Sequence, residues 1–486
     1  MWASARTFVA CGSVSLLCLA ACSLAPKYDV PQAPVPPVFK ETGPWAPASP
    51  ADRTPRGDWW SVYGDETLDK LERQLDESNP DLAAALSRYD QANSLVTQAS
   101  AALVPEWDFS GSSTRNRQSA SRPLRNPGTN FYGNNLLEGS ISYEFDLWGR
   151  VRNEVASARA GAEASNDDLA SVRLSLETKL AEAYFDLRGL DAQGKLLVDT
   201  TDAYMHALRL TVALHTGGAV SGLDVGRAQT QLQTSTAQIS DVAAQRAIRE
   251  HEIATLIGVP PAYFSLAMRD GLPLPPIVPV STPSELLQRR PDIAATERRA
   301  AAANAKIGVA RAAYYPTISL DAAGGFQTSN NGVNLLNLAN SFWTLGPTLA
   351  LTIFDGGRRS AVVRSAQDQF DIASASYRST VLSAFQEVED NLVLCNDLAV
   401  EADSESSAVD AAAHVEALAL KRYQQGAVTY LDVVTAQTTD LQTQRDALGI
   451  ATRRLVASVD LIRALGGGWQ NLAAQQASPS TPAVSQ

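Results

Sequence analysis

The sequence predicts a mainly α-helical, internally duplicated chain. Each half carries one strand hairpin for a transmembrane β-barrel and a set of long coiled-coil helices. Three observations carry that prediction. The stretch GAVSGLDVGRAQ from Gly218 returns as GAVTYLDVVTAQ from Gly426, 208 residues further on. Each half contains a proline-free run of about 65 residues, and in the first the apolar positions recur at coiled-coil spacing. Each half also holds two stretches in which apolar and polar residues alternate over about nine to eleven positions, the length of a membrane-crossing strand.

The chain opens with Arg6 as a lone positive charge, an apolar run from Phe8 to Ala20, and the small-residue ending Leu19-Ala20-Ala21-Cys22. This is a signal peptide over residues 1–21, too short to span a membrane permanently. A cysteine directly after the small residues matches the bacterial lipoprotein box, so Cys22 is the expected lipid anchor. Ser23 stands where an aspartate would signal retention in the inner membrane, which points to the outer membrane. Cys11 and Cys18 leave with the signal, so Cys395 is the only free thiol and no internal disulfide is expected. Residues 22–57 are proline-rich and read as an extended lipidated tether.

The first repeat is expected over 58–258. Asn79 followed by Pro80 is a helix cap with proline at the first helical position, and Pro105 ends that helix. A β-hairpin over 105–148 follows: Trp107 and Phe109 alternate in its first strand, Ile141, Tyr143, Phe145 and Leu147 in its second. A long helix over 149–214 comes next. Leu169, Val172, Leu176, Leu180, Ala183, Leu187 and Leu190 advance by a mean of 3.5 residues. At about 1.5 Å per residue the rod measures roughly 100 Å. Gly218 suits a left-handed helix end. Ser221 and Asp224 form a Ser-x-x-Asp capping box, which starts a return helix over 222–257.

A proline-rich linker over 259–283 leads to the second repeat, 284–470. It has a helix, a hairpin over 316–355, a long helix over 358–423 and a return helix over 430–465. Ile318, Leu320 and Ala322 alternate in one strand; Trp343, Leu345, Leu349, Leu351 and Ile353 do so in the other. Gly426, Thr429 and Asp432 rebuild the same turn. Pro80 and Pro291 stand 211 residues apart, as do Pro105 and Pro316, whereas from Gly149 to Gly258 the offset is 208. Length changes are therefore confined to the hairpin region. In each half the two shorter helices together nearly equal the long one, so they can stack end to end beside it. The tail over 471–486 reads as disordered.

Four strands cannot close a sheet in lipid, because an open edge leaves backbone groups unsatisfied at several kcal/mol each. Closure takes at least about eight strands, so copies must share one barrel. Two copies give eight strands and three give twelve; the residues alone do not choose between them.

Composition excludes other roles. A net charge of −12 argues against nucleic acid. His206, His215, His251 and His414 show no metal-ligand spacing, and no phosphate loop or nucleophile elbow is present. The chain is expected to be no enzyme and to need no metal or cofactor.

The motifs DWW at Asp58, NPDL at Asn79, FDLWGR at Phe145, RRPDIAATE at Arg289, YYPTISL at Tyr314, FDGGRR at Phe354, the two G-x-V-x-x-L-D-V turns and the closing ALGGGWQ resemble the TolC-like outer-membrane factors. Together with the lipoprotein box they match the NodT/OprM-type efflux lipoproteins in particular. The resemblance covers about residues 58 to 470. It implies a homotrimer whose twelve-stranded barrel continues into a twelve-helix periplasmic tunnel, girdled by a belt of linker and tail segments. It implies a periplasmic adaptor and an inner-membrane RND-type transporter as partners, and passive conduction of small molecules to the exterior. It also implies that the second-repeat turn narrows the periplasmic mouth. Tyr423, Leu431 and Asp432 fall on gate positions, while Thr435 stands where many relatives carry an aspartate. Gly218, Ser221 and Asp224, with Gly426 and Thr429, would form the turns near the adaptor. A capping role alone is the competing reading for Asp432, and coiled-coil packing for Tyr423. A structural envelope lipoprotein and a type I protein-secretion duct are the competing functions.

Overall fold

The computed structural model describes residues 23–41, 58–121, 130–276, 278, 289–329 and 334–467. The signal peptide, Cys22 and the tail over 471–486 lie outside the described residues.

A short 3-10 turn, Trp59–Tyr63, precedes helix α1, Glu66–Ser78. Asp65 caps α1, its carboxylate accepting the N–H of Thr67 at 2.8 Å and of Leu68 at 3.2 Å. Then follow α2 (Pro80–Ala101), β1 (Glu106–Arg117), β2 (Phe131–Glu144), α3 (Arg150–Thr216) and α4 (Gly222–Leu256). The second half runs α5 (Pro291–Ala312), β3 (Thr317–Thr328), β4 (Ser341–Ala350), α6 (Arg358–Gln424) and α7 (Tyr430–Ala464). Helix lengths recur between halves: 22 residues for α2 and α5, 67 for α3 and α6, 35 for α4 and α7.

The chain divides into two compact units. One comprises Met1–Gln32, Ser87–Asn166 and Ala295–Arg378 and contains the sheet. Its strands run β1-β2-β3-β4, each antiparallel to the next. Register sorts the side chains onto two faces. Trp107, Ile141, Ala322 and Leu345 form one row, and Phe109, Gly139, Gly324 and Trp343 the next. The opposite face carries Glu106, Ser142, Asp321 and Gly346, with the Ser142 hydroxyl donating to Asp321 at 2.8 Å. Trp107, Phe109 and Trp343 are 77%, 76% and 81% exposed, so the apolar face is bare. Strands β1 and β4 have no partner on their outer edges among the described residues.

Two strand ends differ from the sequence expectation. β2 begins at Phe131 and ends at Glu144. Phe145 still donates its N–H to the Ile318 carbonyl, but the Leu147 N–H turns back onto the Phe145 carbonyl, so Leu147 leaves the ladder. β4 ends at Ala350, which puts Leu351 and Ile353 past it. The alternation in the sequence continues there, but among the described residues no neighbouring strand pairs with it.

The N-terminal segment of this unit is extended, as its prolines dictate, and also docked. Ser23 donates to Asn153 Oδ1 at 3.0 Å, Asn304 Nδ2 to the Pro26 carbonyl at 2.9 Å, and the Tyr28 hydroxyl to Glu297 Oε1 at 2.6 Å. Gly308 makes this seat possible: a Cβ there would meet the Ala25 nitrogen at 2.8 Å.

The second unit comprises Ala33–Leu86, Asp167–Ala294 and Ser379–Gln486. Its core includes Leu68, Leu75, Leu180, Tyr184, Phe185, Leu187, Ile253 and Leu392, all buried. The α3 segment from Leu180 to Gly189 is covered on nearly every side, which is why its apolar and aromatic residues exceed a simple heptad stripe. Here the shorter helices meet end to end. Asn79 Nδ2 donates to the Leu256 carbonyl at 2.7 Å, and Arg290 Nη1 to the Ala464 carbonyl at 3.2 Å.

Candidate functional site

The two turns that close the helical hairpins lie in the second unit. Gly218 and Gly426 have φ of 78° and 70°, a left-handed conformation that a side chain would strain. The next helix starts at once in each. Asp224 Oδ2 accepts the Ser221 N–H at 3.3 Å and its hydroxyl at 3.1 Å; Asp432 Oδ2 accepts the Thr429 N–H at 2.9 Å and its hydroxyl at 2.8 Å. Those bonds from Thr429 hold the Asp432 carboxyl below the usual carboxylate range. Both aspartates cap helices, and Asp432 does so while exposed.

What differs between the turns is what fills them. In the second, the rings of Tyr423 and Tyr430 pack 5.3 Å apart. They join Ala228 and Val433 in a buried cluster that also touches Leu208, Leu214 and Val220 of the first turn and Leu420 and Val428 of the second. The repeat offset maps these tyrosines onto His215 and Gly222. There the ring nitrogen Nδ1 of His215 lies 2.9 Å from the Val220 carbonyl, and a Cβ on Gly222 would touch the imidazole. Burial pushes both phenols up, that of Tyr430 to about 12. Thr211 stands near enough to temper the rise, but its geometry to the Tyr423 hydroxyl falls short of a hydrogen bond and that oxygen is buried unpaired.

The sequence-predicted gate residues therefore separate. Tyr423 is inside; Leu431, Asp432 and Thr435 are exposed. Asp432 and Thr435 line a groove of about 670 Å³ between α6 and α7, walled by Ala408, Ala412, Val415 and Leu418. In sequence the two turns differ at Gly222 against Tyr430 and at Gly226 against Val434, and the first of these differences is what puts a second ring into the second turn.

A buried ionic latch also escaped the sequence reading. Asp191, with 1% of its side chain exposed, accepts from Arg188 Nη1 at 2.8 Å and Arg246 Nε at 2.6 Å. The same arginines reach the linker: Arg188 donates to the Ala267 carbonyl at 2.8 Å and Arg246 to the Leu266 carbonyl at 2.6 Å. Glu250 accepts the Leu266 N–H, and Arg269 donates to Asp65 at 2.8 Å. The linker is thus pinned to α3 and α4. In the second half Arg246 is matched by Arg454, but Arg188, Asp191 and Glu250 are matched by Asn396, Ala399 and Ser458, so the latch, without its central carboxylate, cannot be rebuilt.

A second buried group is acidic. Glu177 accepts the Trp59 indole N–H at 2.9 Å, and burial pushes its carboxyl up to about 7. Glu72 is fully buried with no hydrogen-bond partner; burial first, then Glu177, Asp76 and Asp69, holds it well above the carboxylate range. Among the described residues no group of three or more His, Cys, Asp or Glu is placed to hold a metal, and no helix is long and apolar enough to cross a membrane.

A two-faced sheet whose strands have membrane-crossing length, followed in each half by paired long helices closed with capped glycine turns, defines a class of envelope channel protein. The chain belongs to the outer membrane efflux protein family, whose model matches residues 71–259 and 282–467. It is 31% identical over 477 residues to the toluene efflux pump outer membrane protein TtgC of Pseudomonas putida, covering 97% of this chain and 98% of that one. It is 33% identical over 424 residues to the pyoverdine export outer membrane protein OpmQ of Pseudomonas aeruginosa, covering 85% and 88%. The solved outer-membrane channel OprN superposes with a TM-score of 0.84 at 29% identity, over 93% of this chain and 100% of that one. The fold is that of these outer-membrane channels, and the chain is an outer-membrane protein.

Proposed function

We propose that this chain is the exit channel of a tripartite efflux system. It conducts small molecules passively from a periplasmic adaptor and an inner-membrane RND-type transporter to the exterior. The observation that supports this most directly is the sheet: apolar on one face, polar and acidic on the other, long enough to cross a membrane, and open at both edges. An open edge in hydrocarbon is too costly to persist, so copies share one barrel whose polar face lines a water-filled lumen; three copies and twelve strands are the number that the family resemblance implies. The recurrence of helix lengths supports an internal duplication, which supplies each copy with two hairpins and two long coiled coils for a periplasmic tunnel. Cys22 is the lipid anchor; the seat of Ser23 to Tyr28 against α5 holds the chain directly after it. The turns at Gly218, Ser221, Asp224, Gly426 and Thr429 face the adaptor. Leu431, Asp432 and Thr435 form the gate, with Tyr423 packed behind them. The acidic groups have structural roles in this reading: Asp224 and Asp432 cap helices, Asp191 and Glu250 hold the linker, and Asp321 lines the lumen.

Two relatives are named for toluene efflux and pyoverdine export, which favours small organic cargo over protein. The test is a planar bilayer. Purified lipidated protein should give discrete conductance steps, and deletion of the gene should sensitise cells to small toxic compounds without affecting protein export. A folded, inserted oligomer that conducts nothing would leave a structural envelope lipoprotein as the better reading.

A further inference from the structure

We propose the register in which two copies of this chain join: β4 of one copy pairs with β1 of the next, Leu351 opposite Phe109 and Thr348 opposite Ser112. The inference rests on the shared-barrel reading above and adds which residues meet.

One rule relates the two hairpins within the chain. Pro105 and Pro316 are 211 residues apart, Gly149 and Gly357 are 208 apart. Moving the β1–β2 pair Glu106↔Ser142 by those two steps gives Thr317↔Ala350, which is the pairing observed between β3 and β4. The β3–β4 register therefore agrees with the two offsets taken together. The seam between the hairpins, β2–β3, pairs Tyr143 with Leu320 and Ser140 with Ala323. The same steps, 208 forward on β2 and 211 back on β3, carry that seam onto β4 and β1. Tyr143↔Leu320 becomes Leu351↔Phe109, and Ser140↔Ala323 becomes Thr348↔Ser112.

Two checks that do not use the offsets agree. The first is hydrogen-bond direction, which alternates along a strand. Gln118 donates its N–H to Asn130 at the end of β1–β2. Even-numbered residues of β1 thus face β2, and odd ones present their backbone to the open edge. Phe145 donates to Ile318, so even residues of β3 face β2 and odd ones face β4. Odd residues of β3 pair with even residues of β4, which leaves the odd residues of β4 at the other open edge. In the proposed seam odd meets odd at every hydrogen-bonded pair, and even meets even between them. The second check is the faces. Trp107 and Phe109 on β1, and Trp343, Leu345 and Leu349 on β4, are all odd, so the seam sets apolar beside apolar. A slip of one residue would break both conditions.

The register also accounts for Ile353 and Phe354, which are 92% and 88% exposed beyond β4. They fall opposite Trp107 and Glu106 of the next copy. The bond from Phe145 to Ile318 is then repeated from Ile353 to Trp107. Pro347 falls opposite Ser113, where the seam has one hydrogen bond fewer; an edge strand is where a sheet tolerates proline.

The experiment is disulfide mapping of the full-length protein in membranes, with Cys395→Ser as background and each single-cysteine variant as control. Thr348→Cys is combined in turn with Ser110→Cys, Ser112→Cys and Thr114→Cys. Directly opposed residues of this non-hydrogen-bonded type have Cα atoms about 4.5 Å apart, within disulfide reach. A two-residue slip adds about 7 Å along the strand and puts the pair outside it. The Ser112 combination should yield at least about tenfold more reducible, cross-linked oligomer than either neighbour. Thr344→Cys with Asn116→Cys, on another rung, should repeat the result. A maximum at Ser110 or Thr114 would overturn the register. No cross-link on any rung in a protein that is oligomeric by sedimentation would overturn the β4–β1 seam. A monomeric inserted protein would instead overturn the shared-barrel reading.

Discussion

Asp191→Ala should release the linker from α3 and α4. Asp191 is held by both Arg188 and Arg246, at 2.8 and 2.6 Å, with 1% of its side chain exposed. Removing one partner of a buried ion pair leaves an uncompensated charge and costs about 3–5 kcal/mol. Glu250 remains 3.2 Å from Arg246 and holds part of its charge, so the lower end applies. If that cost falls on the docked linker, about 3 kcal/mol raises its opening equilibrium roughly a hundredfold. The reporter is the amide of Leu266, which donates to Glu250 and not to Asp191. Its hydrogen exchange, followed by mass spectrometry on the intact protein, should accelerate by about two orders of magnitude. Asp191→Asn keeps an acceptor and should give a smaller acceleration. An unchanged Leu266 rate in Asp191→Ala would refute the view that the network holds the linker in place.

Other perturbations follow from the same geometry. Glu177 has its carboxyl raised from 4.5 to about 7 by burial, so it favours the folded state fully below pH about 4.5 and loses that contribution as pH rises towards 7. Glu177→Gln should remove on the order of 3 kcal/mol of that slope, read as a flatter dependence of the denaturation midpoint between pH 4.5 and 7. Gly308→Val should expel residues 23–28 from their seat, because its Cβ would overlap the Ala25 backbone; limited proteolysis should cut the N-terminal segment in the variant and spare it in the parent. Tyr423→Phe deletes a buried, unpaired hydroxyl and should leave stability unchanged or raise it by about 1 kcal/mol, whereas a fall in the denaturation midpoint would show that the hydroxyl has a partner. Asp432→Ala should loosen the second turn and raise resting conductance; unchanged single-channel recordings would remove Asp432 from the gate.

The helices were legible because their punctuation is local. Pro80, Gly218 and Thr429 mark ends through backbone geometry that no distant contact overrides, and the long helix expected over 149–214 spans Arg150–Thr216. The strands were less so. Alternation through Phe145 and Leu147 describes which face a residue prefers, but a strand ends where its partner does, and that partner lies more than a hundred residues away in β3. The latch was invisible for a related reason. Nothing in the sequence marks Asp191 and Arg246 as buried, since their burial comes with a linker whose docking no periodicity announces. At the turns, the capping boxes at Ser221 and Thr429 could be read directly. That Tyr423 points inward while Leu431 is exposed depends on ring packing with Tyr430 across the turn, a contact between side chains rather than a pattern in either.

One exchange at those turns carries a thermal consequence. The first turn is held in part by a polar contact from the His215 ring to the Val220 carbonyl, and the second by two tyrosine rings in an apolar cluster. Apolar association weakens on cooling, while a hydrogen bond has no such decline. Both hairpin tips lean on that shared cluster through Leu214, Val220 and the two rings, but only the first adds the histidine contact, so the ring-packed tip is the one that softens first in the cold.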